Sequence, residues 1–277
     1  MVIDFVASTG RTATTYLASV LNDLDGVVAC HEGYVGSDKS REPLLPLINL
    51  ENAQAYALDK AAERIVAEKR SRTVLEPIWH SIDSNRIIDV AYYNSTLASA
   101  LLSQNPESRM VAIIRGCEGF VRSATTLEGE DPLPVGWPRP TKELTNREKF
   151  IAMGRIRPRK GTKEKSMWAE WSAISRNIWL WKETNRLLID AKERFPDRVC
   201  LCRFDTFKTN PSLFWRVVSD GLKLDLGETP PQSNCDKFVN KKPTGYQIGE
   251  YSTWTDYERH SLEVSEKYIE ERANYDC

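Results

Sequence analysis

The feature that most constrains this chain is an alternation. Short apolar runs without a helical period recur at Val2–Ala7, Val27–Cys30, Thr73–Ile78, Arg86–Ala91, Met110–Ile114 and Val199–Phe204. Runs of this length bounded by turn residues read as buried strands. Between them lie segments of helical character. Leu17, Val20, Leu21 and Leu24 repeat at helix spacing, and Glu51–Lys69 is rich in Ala and charge. Ser95–Gln104, Glu118–Leu127, Ser166–Phe195 and Pro211–Leu222 read as further helices, the last opened by Asn210-Pro211. Thr255 and Glu258 form a capping-box pattern for a final helix to about Arg272. Strands alternating with helices need crossover connections. The expected fold class is therefore α/β, three layers with a central parallel sheet flanked by helices.

With 277 residues, 41% hydrophobic and 28% charged, the chain can fill one large core, and 1–277 reads as a single domain. The net charge of −1 argues against a broad nucleic-acid footprint. No apolar run approaches a membrane span, and Met1–Ala7 lacks the basic start and long apolar stretch of a secretory signal. The six cysteines form no CxxC and no metal-ligand spacing. Buried free thiols in a cytoplasmic protein are expected, with Cys200 and Cys202 on one face of a strand. One segment breaks the alternation. Residues 128–165 are rich in Pro, Gly, Lys and Arg, including Gly154-Arg-Ile-Arg-Pro-Arg-Lys-Gly161. A stretch this long without a period reads as a mobile lid or a solvated insertion.

Between the first strand and the first helix lies Ser8-Thr-Gly-Arg-Thr-Ala-Thr-Thr-Tyr-Leu17. A strand–loop–helix junction exposes backbone N–H groups where the helix dipole favours an anion. The loop is P-loop-like but departs from the Walker pattern. Ser8 and Ala13 stand at its two glycines, and Thr14 stands at its lysine, followed by Thr15. Without that lysine, a nucleotide kinase or NTPase is the lesser reading. A second signal is Arg115 at the end of a strand, with Ser123 eight residues on along a helix.

Together these segments resemble the PAPS-dependent sulfotransferase superfamily (PAPS, 3′-phosphoadenosine 5′-phosphosulfate). Arg11, Thr12, Ala13, Thr14, Thr15 and Leu17 match its 5′-phosphosulfate loop, with Ala13 where the family usually has Gly. Arg115 and Ser123 match its 3′-phosphate pair. Arg203–Pro211 and the helix carrying Trp171, Trp179 and Trp181 extend the likeness, and Lys241-Lys242 stands where a loop closes on the 3′-phosphate. The tryptophans read as core for two of the three.

The resemblance implies a bacterial-type sulfotransferase with PAPS as cofactor and no metal. It implies a small-molecule acceptor, sulfated on a hydroxyl or an amine or amide N–H in secondary-metabolite tailoring. A non-catalytic PAP- or PAPS-binding protein of the same fold is the other alternative. Arg11, Thr12, Ala13, Thr14, Thr15, Tyr16, Arg115, Ser123, Lys241 and Lys242 would hold the cofactor, with Arg11 also at the departing phosphate. Glu32 is the first choice of base, His31 the second and His80 the third. His31 and Glu32 follow a strand at its carboxyl end, so an extended backbone would turn them to opposite sides. His260 reads as structural.

Overall fold

The computed structural model describes residues 2–38, 40, 42–45, 49–79, 82, 84–125, 154–226 and 249–277. Its centre is β1 (Val2–Ser8), a strand buried on both faces. Ile3, Phe5 and Ala7 enter one core cluster, while Val6 enters the other. β5 (Met110–Ile114) divides in the same way, with Met110, Ala112 and Ile114 on one side and Val111 and Ile113 on the other. A period of two with apolar residues in both phases is what a doubly covered parallel sheet requires.

The sheet adds β2 (Val27–His31), β3 (Tyr34–Val35), β4 (Arg86–Val90) and β6 (Val199–Arg203) in the order β3-β2-β4-β1-β5-β6. Every pairing is parallel except β2 with the short β3. One face carries α1 (Thr14–Asn22), α9 (Phe204–Thr209) and α10 (Pro211–Leu222). The other carries α2 (Asn49–Leu58), α3 (Lys60–Lys69), α5 (Ala98–Gln104), α6 (Cys117–Thr125), α8 (Ala173–Arg194) and α11 (Asp256–Arg272). The fold class is α/β, a mostly parallel six-stranded sheet between helices. β1 lies between β4, which follows β2 in the chain, and β5, which starts the other half of the sheet. The chain therefore reverses direction across the sheet at β1, and the carboxyl end of such a strand is where α/β folds place ligands.

Several sequence expectations shift. Glu51–Lys69 is two helices, because Asp59 adopts extended backbone and caps α3 through the Ala62 N–H at 2.8 Å. The tract Ser166–Phe195 divides between α7 (Lys163–Met167) and α8, which Ser172 caps through the Ser175 N–H at 3.1 Å. Thr73–Ile78 is not a strand. A π-helical segment, Arg70–Leu75, continues α3 into α4 (Glu76–Trp79). The cause is tertiary. Arg70 is buried, pairs with Asp89 of β4 and donates to Asn94 Oδ1 at 2.8 Å, so the widened turn is held where its arginine reaches the sheet.

The Thr255–Glu258 capping box forms as read. Cys30, Cys117 and Cys202 are buried thiols and Cys200 and Cys277 half-buried, with Cys200 and Cys202 in the same core cluster. Cys235 lies outside the described residues. The free edge of β6 is covered by the following chain: the Asp276 N–H donates to the Leu201 carbonyl at 2.8 Å, and the Arg203 N–H to that of Cys277 at 2.9 Å. Among the described residues, no helix is long and apolar enough to cross a membrane.

Candidate active site

The loop from Thr9 to Ala13 leaves β1 at the sheet's centre and turns into α1. Its backbone is unusual: Gly10, Arg11 and Ala13 all have positive φ, at 90°, 61° and 55°. Ser8 holds the turn from inside, its Oγ accepting from the Gly10 N–H at 3.0 Å and from Thr12 Oγ1 at 2.8 Å. The Thr12 hydroxyl is thus engaged within the loop. Ser95 Oγ donates to the Ser8 carbonyl at 2.6 Å. Ala13 is the N-cap of α1 and offers no capping side chain. The first N–H groups of α1 keep the dipole's positive end without a side-chain cap, which suits an anion.

Thr14 and Thr15, in the first turn of α1, present their hydroxyls to His31 Nε2 at 3.2 and 3.3 Å. Their neighbour Tyr16 turns toward an aromatic cluster, its ring centroid 5.6 Å from Phe207 and 6.4 Å from Trp215.

The second half of the site comes from β5 and α6. Arg115 follows β5, and its Nη1 donates to the Arg11 carbonyl at 2.7 Å. Its guanidinium lies 5.5 Å over the Phe204 ring. Gly119 makes room for it, since a Cβ there would stand 3.1 Å from Arg115 Nε. One turn further along α6, Ser123 Oγ accepts from Arg11 Nε at 3.0 Å. The buried indole of Trp181 on α8 donates to the Arg115 carbonyl at 2.6 Å and fixes the strand's end. The two motifs, separated by 112 residues at the Arg11–Ser123 bond, therefore form one cluster. Burial and the charge of Arg11 depress the Arg115 pKa, opposed by Asp205. Among the described residues, no carboxylate is within ion-pair distance of Arg115.

His31 ends β2, and Glu32 with Gly33 makes the two-residue turn into β3, with φ of 49° and 90°. This hairpin corrects the expected extended backbone at Glu32. Two central residues with positive φ are what a tight hairpin of this kind requires. The turn keeps Glu32 at the carboxyl end of β2, near enough for its charge to act on Tyr93 and on Arg155. His80, Lys241 and Lys242 lie outside the described residues. His260 is exposed on α11.

Arg155 was not among the expected site residues. The segment 128–165 is described only from Gly154 on, and that part is not a free loop. Ile156 is buried, and Arg159 donates to Glu63 Oε1 at 2.6 Å and to the Tyr56 carbonyl at 2.8 Å. Arg155 itself is 8% exposed, lies 4.3 Å over the Tyr92 ring, and donates through Nη1 to the Thr9 carbonyl at 2.6 Å. A buried arginine beside two positive-φ residues is visible only in three dimensions, because the contact spans 146 residues.

No family model matches the sequence, and no curated protein does. Among solved structures, the chain is similar in fold to the sulfotransferase domain from the curacin biosynthetic pathway. The TM-score is 0.50, the sequence identity 11%, and the match covers 99% of this chain and 98% of that one. The likeness spans the whole sheet and its helices and concerns the fold.

Proposed function

We propose that this chain, read as one domain over 1–277, is a sulfotransferase that uses PAPS. It passes the sulfuryl group to a hydroxyl, or an amine or amide N–H, of a small-molecule acceptor. The observation that carries the reading is the union of two anion-binding motifs: Arg11 reaches Ser123 at 3.0 Å while its carbonyl receives Arg115 at 2.7 Å. A helix N-terminus at one pole and a guanidinium fork at the other suit a nucleotide that bears anions at both ends. The solved domain of similar fold belongs to a biosynthetic pathway, which supports a secondary-metabolite acceptor, while a cytoplasmic location rests on the sequence alone.

When bound, PAPS supplies an activated sulfuryl group: the bond from sulfur to the bridging oxygen breaks as one from sulfur to the acceptor forms, and the electron pair leaves with the 5′-phosphate. The chain's own residues position and neutralise. Loop N–H groups with Thr14 and Thr15 hold the 5′-phosphate, their hydroxyls oriented by His31. Arg11 offsets the charge that grows on the departing phosphate. Arg115 and Ser123 hold the 3′-phosphate, which separates this ligand from ADP. Glu32 takes the acceptor's proton. Arginines supply the neutralisation, with no metal. A closing role for Lys241-Lys242 and for residues 128–165 rests on the sequence pattern, and in the described part, 154–165, Arg155 and Arg159 are anchored to the body of the fold.

A single-turnover assay with labelled PAPS and a panel of hydroxyl and amine acceptors tests the reading. Label appearing on an acceptor supports it. PAP binding with no transfer to any acceptor would point to a non-catalytic binder, and ATP turnover to a kinase.

A further inference from the structure

Buried charges in this protein usually have charged partners. Asp89 has Arg70, and Asp4 has Arg86 at 3.3 Å. Arg155 departs from this pattern. Its Nη1 donates to a backbone carbonyl, that of Thr9, and among the described residues its Nε has no hydrogen-bond partner. A guanidinium taken out of water without an anion is costly, and such groups are commonly completed by a ligand. The side chain is also held rigidly. The Tyr92 ring lies 4.3 Å from one face, and Gly10 lies close on another side, where a Cβ would stand 3.3 Å from Nη2.

Arg155 lies with Thr9, Tyr92, Thr96 and Thr184 around a small cavity beside the loop, between β1 and α8. The loop residue it grips immediately precedes Gly10 and Arg11. The charges of Arg11 and Glu32 both act on it, in opposite senses. Two guanidiniums and one carboxylate thus share the carboxyl end of the sheet.

Building on the sulfotransferase reading above, we infer that Arg155 binds the oxygens of the sulfuryl group itself, opposite Arg11. The nucleotide's two phosphates already have the α1 N-terminus and Arg115. The remaining anionic group of PAPS is the sulfonate, and it has no other assigned cation. An arginine in this place would hold the sulfur in line between the bridging oxygen and an acceptor near Glu32, and would spread charge from the peripheral oxygens. It breaks no bond and moves no proton.

PAPS and PAP differ only by this group, so their affinities isolate it. Calorimetry at one ionic strength compares wild type, Arg155→Met and Arg155→Lys with each ligand. Arg155→Met is expected to weaken PAPS by about 10- to 100-fold, the worth of a charge-assisted contact, while PAP changes less than about twofold. Arg155→Lys keeps the charge but loses the fork, and it should recover part of the PAPS affinity. Thermal unfolding without ligand should not fall in Arg155→Met, because a buried uncompensated charge is removed. Equal loss of PAP and PAPS would overturn the inference and leave Arg155 a loop-shaping residue. Unchanged PAPS affinity with a raised KM for an anionic acceptor would overturn it in favour of the acceptor. Wild-type protein that binds neither ligand would overturn the parent reading as well, whereas wild-type binding with no effect of the substitutions sinks this inference alone.

Discussion

Replacing Arg115 with alanine removes one pole of the two-pole cluster, and its consequences differ between the free and the bound protein. In the free chain the guanidinium donates to the Arg11 carbonyl at 2.7 Å and lies over Phe204 at 5.5 Å. A neutral backbone acceptor makes that bond worth about 1 kcal/mol or somewhat more. Removing a cation that Arg11 and burial both disfavour offsets part of it. Thermal stability should therefore move little. Binding is another matter. A charge-assisted bond to phosphate is worth about 1.5–3 kcal/mol, or roughly 10- to 150-fold in Kd. PAP should weaken by that factor. ADP, which lacks the 3′-phosphate, should change by less than about twofold, because its contacts lie at the loop. Arg115→Lys should fall between, since a point charge cannot serve the Arg11 carbonyl and a phosphate as a fork does. Calorimetry with both nucleotides at fixed ionic strength measures the difference. Parallel losses for PAP and ADP, or equal affinity of the wild type for both, would refute the assignment of Arg115 to the 3′-phosphate.

Three other predictions follow from the same geometry. Glu32→Gln keeps the shape of the hairpin turn and removes the base, so turnover should drop about 10²-fold or more with PAP affinity intact. His31→Ala should instead weaken PAP, through the disordered Thr14 and Thr15 hydroxyls, and the reverse outcome in the two variants would make His31 the base. Ala13→Gly relieves a left-handed alanine, whose cost of about 1–2 kcal/mol exceeds the roughly 0.5–1 kcal/mol of glycine flexibility, so urea melts should show a net gain of up to about 1 kcal/mol. A loss of stability would show that the loop prefers the β-carbon. Burial pushes the Asp4 carboxyl up to about 6 from 3.8, despite the Arg109 N–H at 2.7 Å. The folded pKa lies above the unfolded one, so its contribution to stability is greatest below about pH 4 and is lost as pH rises through 6, by about 3 kcal/mol in all. Relative to wild type, Asp4→Asn should gain about that much between pH 4 and pH 7.5 in denaturant melts; a difference independent of pH would refute the titration.

What the sequence disclosed was decided by local interactions. The strands β1, β4, β5 and β6 are short, mostly apolar runs, broken by Asp4 in β1 and Asp89 in β4, and their partners impose nothing that the runs contradict. The Ser8–Leu17 loop was legible because strand, polar turn and helix follow each other directly. The Arg115–Ser123 pair was legible as a spacing, though its junction with Arg11 was not. Thr73–Ile78 misled because β-branched and apolar residues suit a strand locally, whereas Arg70 is drawn by Asp89 into a helix that continues through them. The Glu32-Gly33 turn was missed because β3 has only two residues, too few to show an alternation. Arg155 lay in a basic, unperiodic tract, and nothing in its neighbours distinguishes it from Arg157 or Arg159. Only its distant contact with Thr9 does.

Three of the five non-glycine residues with positive φ among the described residues gather in one place, Ser37 and Lys223 being the other two. Gly10, Arg11, Ala13 and Glu32 take positive φ within two turns that meet at the carboxyl ends of β1 and β2, and of these only Gly10 does so freely. Arg155 brings a buried cation to the same place, held by a backbone carbonyl and the Tyr92 ring. Elsewhere buried charges are paired: Arg70 answers Asp89, Glu63 has both Arg159 and Lys60, and the sheet's edge at β6 is covered. Strain in a turn can be removed by a glycine, and an uncompensated arginine by a leucine, each with a gain in stability. A sequence that keeps all of them at one end of one sheet gives up that stability where it would be cheapest to recover. Positive φ aims successive N–H groups at a common point, and Arg11, Arg115 and Arg155 lie around the loop, an arrangement that suits the anionic ligand proposed above. On that proposal the ligand is a phosphosulfate with a second phosphate at its far end, which an inorganic ion does not match. Inorganic sulfate should therefore stabilise the protein against heat far less than PAP does at equal concentration, and equal protection by the two would mean that the cluster recognises charge without recognising a nucleotide.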